Sequence, residues 1–157
     1  MADTVLRPLV MIAEDDADDR LMMTEAFAER ARECRLHFAR DGAQLMRLPS
    51  NKASPGDHTG DWSGEHPNLI LLDLNMPLMD GREALRRIKA DPALRQIPTV
   101  VMTTSDNEDD IRFCYDLGAN SYIVKPSSYS QLLSIVSALD SYWTKTVALP
   151  KKKERYD

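Results

Sequence analysis

The chain has 157 residues, 43% hydrophobic and 29% charged, which predicts a single soluble globular domain spanning residues 1–157. Asp and Glu number 25 against 20 Lys and Arg, and this mildly acidic balance argues against direct nucleic-acid binding. No apolar run reaches about 20 residues and no signal-peptide pattern opens the chain, so we expect neither membrane insertion nor export. Cys34 and Cys114 lack CxxC or metal-ligand spacing and indicate reduced thiols in the cytoplasm.

Strands and helices alternate along the chain. Short apolar segments bounded by turn residues are typical of strands buried on both faces, and apolar residues at helical spacing follow them. In chain order the predicted elements are a strand at Leu9–Ala13, a helix from Asp18 to about Ala31, a strand at Leu36–Ala39, a short helix from Ala43 to about Leu48, a strand at Leu69–Leu72, a helix at Arg82–Lys89, a strand at Thr99–Met102, a helix at about Glu108–Leu117 that ends at Gly118, a strand at Ser121–Val124 and a helix from about Tyr129 to Trp143. This order predicts an α/β fold with a five-stranded parallel sheet and helices on both faces.

One polar segment interrupts this alternation. Residues 49–68, "PSNKASPGDHTGDWSGEHPN", are rich in Gly, Pro and Ser and too many for an ordinary connection. We interpret them as an exposed insertion in a core of about residues 9–143, with a C-terminal tail at residues 144–157. His58 and His66 lie among turn-forming residues, so a mobile loop is favoured there over a metal site.

Polar side chains stand at the carboxyl ends of four predicted strands. Glu14 and Asp15 follow the first strand, Asp73 the third, Thr103 the fourth and Lys125 the fifth. The carboxyl ends of parallel strands meet at one edge of the sheet, where ligands of open α/β sheets bind. Because clustered carboxylates repel one another, we expect a cation among them, and hard oxygen ligands suit Mg²⁺.

A carboxylate beside Mg²⁺, a lysine and a hydroxyl is suited to phosphoryl transfer, because the cations neutralise charge on the transferred oxygens. Asp73 would be the nucleophile and would form an aspartyl phosphate. Each residue alone also has a simpler interpretation: Asp73 as a turn residue, Glu14–Asp16 as the solvated start of a helix, Thr103 as a cap and Lys125 as an exposed side chain. Their ordered occurrence at strand ends favours the phosphoryl-transfer site.

Four segments carry a wider pattern: "IAEDD" (Ile12–Asp16), "LLDLNMPLMDG" (Leu71–Gly81), "VVMTTSD" (Val100–Asp106) and "GANSYIVKP" (Gly118–Pro126). Together they cover the chain from about Leu9 to Tyr142. Because these four segments occur in this order, the chain resembles the receiver domains of two-component response regulators. The resemblance implies a flavodoxin-like, doubly wound fold that is phosphorylated on Asp73 by a histidine kinase. It also implies a phosphoacceptor that promotes its own phosphorylation and dephosphorylation, rather than an enzyme.

The same resemblance implies roles for the site residues. Mg²⁺ would be bound by Asp15, Asp73 and the backbone carbonyl of Asn75, with Glu14 acting through water. No further cofactor is implied.

The resemblance also implies a conformational switch. Thr103 and Lys125 would contact the phosphoryl group, and movement of the Thr103 hydroxyl would open space for Tyr122 to turn inward. The Lys125–Pro126 bond matches a lysine–proline bond that is usually cis in this family. Tyr122 could equally be an ordinary half-buried strand tyrosine.

A narrower pattern lies in "TTSDNEDDIRFCYDLGANSYIVKP" (Thr103–Pro126) and "YWTKTVALP" (Tyr142–Pro150). These segments resemble the small response regulators paired with bacterial phytochrome histidine kinases, and so imply a phytochrome-type sensor kinase as partner. Only a short tail follows Trp143, so we expect a stand-alone receiver with no DNA-binding output domain.

The end of the chain is unusually apolar. Tyr142, Trp143, Val147 and Leu149 continue beyond the residues that the last helix needs to cover the sheet. Exposed apolar patches mark interaction sites, so we predict a homodimer through the C-terminal helix and tail. The alternative is that the tail folds back onto its own subunit.

Three other functions are compatible with parts of the pattern. A phosphatase of the haloacid dehalogenase type also forms an aspartyl phosphate, but it carries a second acid two residues after the nucleophile, where this chain has Asn75. A degenerate receiver that only binds partners is disfavoured by the intact set of Asp15, Asp73, Thr103 and Lys125. A nucleotide-binding flavodoxin-like protein is disfavoured because no Gly-rich phosphate loop follows the first strand.

Overall fold

The computed structural model describes residues 7–47 and 65–150. In chain order they form β1 (Leu9–Ala13), α1 (Ala17–Arg30), β2 (Arg35–Ala39), α2 (Gly42–Leu45), β3 (Leu69–Leu72), α3 (Gly81–Ala90), β4 (Thr99–Thr103), α4 (Glu108–Leu117), β5 (Ser121–Val124), α5 (Tyr129–Leu139) and a π-helical segment (Asp140–Thr146). Each predicted strand is confirmed to within one residue at either end. Most of the predicted insertion and the last part of the predicted tail lie outside the described residues.

The five strands form one parallel sheet in the order β2-β1-β3-β4-β5. β1 pairs with both β2 and β3, and β4 pairs with both β3 and β5. The chain therefore winds outward from β1 in both directions, which is the flavodoxin-like order. The predicted fold class is confirmed. The direction of winding reverses between β1 and β3, so the loops that follow these two strands border a crevice at the carboxyl edge.

Alternate strand residues face two separate cores. Val10 and Ile12 of β1 pack with α1 and α5 on one face, whereas Met11 and Ala13 pack with α2, α3 and α4 on the other. Leu69–Leu72 of β3 is buried along its whole length. Because both faces of the sheet are covered, the strands are continuous apolar runs rather than alternating ones.

Polar side chains fix the starts of the helices. Asp16 caps α1 by accepting a hydrogen bond from the Asp19 N–H, and Ser128 caps α5 by accepting one from the Gln131 N–H. Gly118 ends α4 in the left-handed conformation at φ 106°, as predicted, because a residue without Cβ adopts it freely.

The turn between β3 and α3 approaches the end of β3 closely. The Gly81 N–H donates to the Leu74 carbonyl at 2.9 Å, and a Cβ at Gly81 would overlap the main-chain oxygen of Asp73. Leu78 in the same turn has a positive φ of 66°. No other non-glycine residue within residues 7–47 and 65–150 has a positive φ. The turn thus holds the backbone that follows β3 firmly against the first turn of α3.

The last helix differs from the prediction. The α-helix ends at Leu139 rather than Trp143, and residues Asp140–Thr146 form π-helical turns. The Asp140 side chain is buried there, and it accepts hydrogen bonds from Thr144 Oγ1 at 2.6 Å and Lys145 Nζ at 2.8 Å. Over a few residues, the spacing of apolar side chains is compatible with both an α-helical and a π-helical continuation. The pattern of apolar residues also could not predict the polar contacts of Asp140.

Among the helices built from residues 7–47 and 65–150, none is both long and apolar enough to cross a membrane.

Candidate phosphoryl-transfer site

The loop after β1 places two carboxylates at the sheet edge. The Glu14 N–H donates to the Ala39 carbonyl at 2.9 Å and so extends the β1–β2 ladder. Arg20 of α1 donates through Nη1 to the main-chain carbonyls of Glu14 at 3.1 Å and Asp15 at 2.7 Å. With the loop held at its backbone, the Glu14 side chain is buried and that of Asp15 is exposed.

Asp73 follows β3 and is held in the same way. Its N–H donates to the Ala13 carbonyl at 3.1 Å, and the residue is only 5% exposed. Oδ1 accepts hydrogen bonds from the Asn75 N–H and from Thr103 Oγ1, both at 3.0 Å, and Oδ2 accepts one from Lys125 Nζ at 2.8 Å. Both carboxylate oxygens are thus oriented by groups from the ends of three neighbouring strands.

Lys125 is the cation of the site. Its N–H donates to the Thr103 carbonyl at 2.7 Å, so the residue extends the β4–β5 ladder. Its Nζ contacts three carboxylates, at 2.6 Å from Glu14, 2.9 Å from Asp19 and 2.8 Å from Asp73. Burial opposes the charge of Lys125, but the hydrogen bonds to the carboxylates outweigh it and raise the pKa of the ammonium group.

Three of the carboxylates could hold a metal ion. One oxygen each from Glu14, Asp15 and Asp73 lies within 4.8 Å of the others. A donor set made only of oxygens suits Mg²⁺ and Mn²⁺. The exposed Asp15 keeps one side of the site open to water. The donor set therefore fits a divalent ion that retains part of its hydration shell.

Burial sets the charge of Glu14. Removal from water raises its pKa to about 7, with the nearby Asp73 adding to the rise and the Lys125 hydrogen bond offsetting part of it. Near neutral pH, Glu14 therefore exchanges a proton with little free-energy cost.

Tyr122 lies apart from the carboxylates. It is half-buried, packs against the core beneath α3 and α4, and donates its hydroxyl to the Ser105 carbonyl at 2.9 Å. Ser105 Oγ donates to Asp110 of α4 at 2.7 Å, and Arg82 of α3 donates to the same carboxylate at 2.8 Å. These contacts link Tyr122 to the loop between β4 and α4, and that loop to α3.

One expectation is wrong in this structure. The Lys125–Pro126 bond is trans, and residues 7–47 and 65–150 contain no cis peptide bond. The two isomers of an X–Pro bond differ by only about 0.5–1 kcal/mol, so neither the sequence nor the family pattern decides between them. The Lys125 ammonium group reaches Asp73 from the trans backbone.

The remaining predicted residues lie together at the carboxyl edge, except for Tyr122. The Asp73 carboxylate is at the centre of this group. It lies beside the carboxylates of Glu14 and Asp15 and accepts hydrogen bonds from Thr103 and Lys125.

Asp19 is the site residue that sequence reasoning missed. It belongs to α1, whereas the predicted carboxylates of the site all follow strands. Its position in the first turn of the helix that follows the Glu14–Asp15 loop was the available signal. Arg82 and Asp110 were missed because they come from two helices whose contact is tertiary.

Comparison with known proteins agrees with this geometry. The sequence profile of the response regulator receiver domain matches residues 10–137. The chain belongs to this family of two-component response regulators.

Particular relatives match over nearly their whole length. Response regulator Rcp1 of Synechocystis is 37% identical over 142 residues, which cover 90% of this chain and 92% of Rcp1. The structure of the phosphorylated cyanobacterial phytochrome response regulator RcpA superposes with a TM-score of 0.80 at 39% identity, covering 92% of this chain and 99% of RcpA. The Mn²⁺-bound form of Rcp1 superposes with a TM-score of 0.77 at 36% identity, covering 92% of this chain and 99% of Rcp1. The chain is thus similar to response regulator Rcp1 and to the phytochrome response regulator RcpA.

The raised pKa of Glu14 predicts a specific dependence of stability on pH. A carboxyl whose pKa rises on folding stabilises the fold while it is protonated. That contribution to stability is complete at pH values below 4.5, the ordinary pKa of a glutamate. It is lost as the pH rises through about 7, the pKa of Glu14 in the folded protein. In metal-free buffer, the unfolding midpoint of the wild type should therefore fall relative to that of Glu14→Gln across this window.

The exposed α1 residue Glu25 supplies the control, since Glu25→Gln removes the same charge outside the site. It should leave the pH profile of the wild type unchanged. Parallel profiles for the wild type and Glu14→Gln would remove Glu14 as the titrating group.

Proposed function

We propose that this chain accepts a phosphoryl group on Asp73 from a sensor histidine kinase, with Mg²⁺ in the site. The observation that carries the proposal is the environment of the Asp73 side chain. A buried carboxylate at a strand end has both oxygens oriented by hydrogen bonds and lies beside two further carboxylates that can hold a metal. This environment supports Asp73 as a nucleophile whose carboxylate is held in one orientation, rather than as an ordinary turn residue.

The transfer needs no base, because the attacking atom is a carboxylate oxygen rather than a hydroxyl. A carboxylate oxygen of Asp73 attacks the phosphorus of a phosphohistidine, and the phosphorus–nitrogen bond breaks with its electron pair returning to the imidazole nitrogen. The Lys125 ammonium group and the Thr103 hydroxyl lie within 3.0 Å of Asp73 and are placed to bind phosphoryl oxygens as charge shifts onto them.

Mg²⁺ would be held by Asp15 and Asp73, with the main-chain carbonyl of Asn75, and with Glu14 acting through water. When bound, the ion supplies charge neutralisation for the phosphoryl oxygens. Mn²⁺ occupies the related Rcp1, and an all-oxygen donor set accepts either ion.

We propose a phosphoacceptor rather than a phosphatase. Phosphatases of the haloacid dehalogenase type carry a second acid two residues after the nucleophile. Here that residue is Asn75, whose amide lies 3.5 Å from Thr103 Oγ1. An amide donates hydrogen bonds but does not take up the proton of an attacking water at neutral pH.

The partner kinase is proposed to be of the phytochrome type. RcpA is described as a cyanobacterial phytochrome response regulator and a further related structure as a bacteriophytochrome response regulator, the latter at 29% identity.

Both buried cysteines are free thiols, which supports a reducing compartment such as the cytoplasm.

Phosphorylation should depend on Asp73. Incubation with Mg²⁺ and acetyl phosphate should give a base-labile adduct on the intact protein, because the product is an acyl phosphate. Asp73→Asn should give none, since an amide is not a nucleophile. Intact-protein mass spectrometry measures the adduct, and a phosphorylated phytochrome-type kinase should transfer its label faster than an unrelated histidine kinase.

A label that persists in Asp73→Asn would contradict the assignment. Steady turnover of p-nitrophenyl phosphate by the wild type would indicate the phosphatase instead.

Metal affinity should depend on Asp15. Asp15→Asn removes one of the few protein carboxylates available to the ion, so Mg²⁺ affinity should fall by about tenfold or more, which calorimetric titration measures. Asp16→Asn removes an exposed charge one residue further on and retains a side chain that can cap α1. Equal affinities for these two variants would remove Asp15 from the metal site.

Thr103 and Tyr122 are proposed to transmit the change. A phosphoryl group would draw the Thr103 hydroxyl away from Asp73 and alter the contacts of Tyr122 with the loop between β4 and α4. On addition of beryllofluoride, a phosphoryl mimic, the backbone NMR signals of Ser105 and Tyr122 should shift. In Thr103→Ala those shifts should shrink, and changes confined to the Asp73 turn in the wild type would contradict the switch.

A homodimer through the C-terminal helix and tail is also proposed. Tyr142 is 53% exposed and packs edge-on against Trp143 with ring centroids 5.0 Å apart, so an aromatic surface faces solvent. Such side chains are enriched at interface hot spots. Val147 and Leu149, which follow along the chain, are half-buried.

Removal of the Tyr142 ring should weaken this dimer. Truncation at Thr144 is a poor test, because it strips the buried Asp140 of two hydrogen-bond donors. Tyr142→Glu should shift the protein to monomer in sedimentation at concentrations where the wild type is dimeric, and the adjacent exposed Ser141→Glu should not. A wild type that is monomeric with and without beryllofluoride would contradict the dimer.

A further inference from the structure

The third partner of Lys125 has no role in the proposed chemistry. Glu14 and Asp73 are expected from their positions at strand ends, but Asp19 reaches the ammonium group from the first turn of α1 at 2.9 Å. An ammonium group has three hydrogens, so these three carboxylates account for all of its donors.

The position of Asp19 is fixed by the start of its helix. Its N–H donates to Oδ1 of the cap residue Asp16 at 2.9 Å. In the next residue, Arg20 donates to the main chain of Glu14 and Asp15, so the first turn of α1 is fastened to the loop that carries the metal ligands. Asp19 therefore offers Lys125 a carboxylate on a rigid support.

Lys125 needs such a support because its side chain is flexible and has room to move. A cavity of about 110 Å³ lies beside it, lined mainly by apolar side chains that include Met22, Met23 and Leu132. The four-carbon stem can lie along this apolar lining while the ammonium group turns away from Asp73 toward solvent. Contact with Asp19 opposes that movement.

The other two partners become less available during the reaction. Asp73 loses its negative charge when it forms the acyl phosphate, and Glu14 lies in the group of carboxylates that can hold the metal. Asp19 is outside that group and outside the reacting bond. It is thus the partner of Lys125 whose carboxylate is neither modified by the transfer nor in the group that can hold the metal.

We propose that Asp19 is a positioning residue that holds the Lys125 ammonium group where it contacts the transferred phosphoryl group. The inference rests on the proposed phosphorylation of Asp73. Phosphorus bonds to an Asp73 oxygen and separates from its donor, acetate leaves with the electron pair when acetyl phosphate is used, and Lys125 keeps its proton throughout. Asp19 acts on this step only through Lys125.

The test compares Asp19→Asn with Asp18→Asn at saturating Mg²⁺. Asp18 is exposed, lies in the same helical turn and loses the same charge. Asp19→Asn should lower the maximal rate of phosphorylation by acetyl phosphate by about two- to fivefold, the range expected for a partly exposed ion pair, with little change in the half-saturating donor concentration. Asp18→Asn should match the wild type, and Asp19→Glu should recover at least half of the loss.

A double-mutant cycle separates positioning from a structural effect. In a Lys125→Gln background, Asp19→Asn should cause no further loss, because its partner is gone. Should Asp19→Asn unfold, Asp19→Ser takes its place, since its hydroxyl is too short to reach Lys125.

Two outcomes would overturn the inference while leaving Asp73 as acceptor: a wild-type rate in Asp19→Asn, or the same loss with and without Lys125. A wild type that takes up no phosphoryl group at all would instead contradict the proposed function.

Discussion

The Lys125 ammonium group joins the parts of the site to one another. It lies within 2.9 Å of carboxylates that come from the end of β1, the end of β3 and the first turn of α1, and it is itself carried at the end of β5. These carboxylates would repel one another in a partly buried site, so the shared cation is the condition under which they can be brought together. The geometry of Asp73 depends on it directly.

The apolar core supplies the rigidity that this arrangement needs. Leu69–Leu72 is buried on both sides, and the ladder to β1 continues to the Asp73 N–H, so the carboxylate begins where an immobile strand ends. The Gly81 contact then closes the turn that follows. A buried cluster of acids is a poor source of stability, and the raised pKa of Glu14 reflects its cost. The long apolar strand before Asp73 can be understood as the support for that unfavourable but functional cluster.

Much of this was accessible from the sequence because the signals were local. Apolar strands followed by polar residues predicted the sheet, and the rule that parallel strands share a carboxyl edge brought Glu14, Asp73, Thr103 and Lys125 together. The contacts that escaped prediction are tertiary or depend on small energy differences. Asp19 meets Lys125 across 106 residues, the π-helical turns depend on the buried Asp140, and the trans Lys125–Pro126 bond is separated from its cis isomer by little free energy.

Denaturant unfolding of Lys125→Met in metal-free buffer tests whether the Lys125 ammonium group is what holds the carboxylates together. Above the pKa of Glu14, loss of the cation leaves three buried or half-buried carboxylates facing one another, and the free energy of unfolding should fall by about 3 kcal/mol. Protonation of Glu14 at lower pH, or addition of Mg²⁺, should each recover part of that loss. Equal stability of Lys125→Met and the wild type across this pH range would contradict the account, because the carboxylates would then be held together without the lysine.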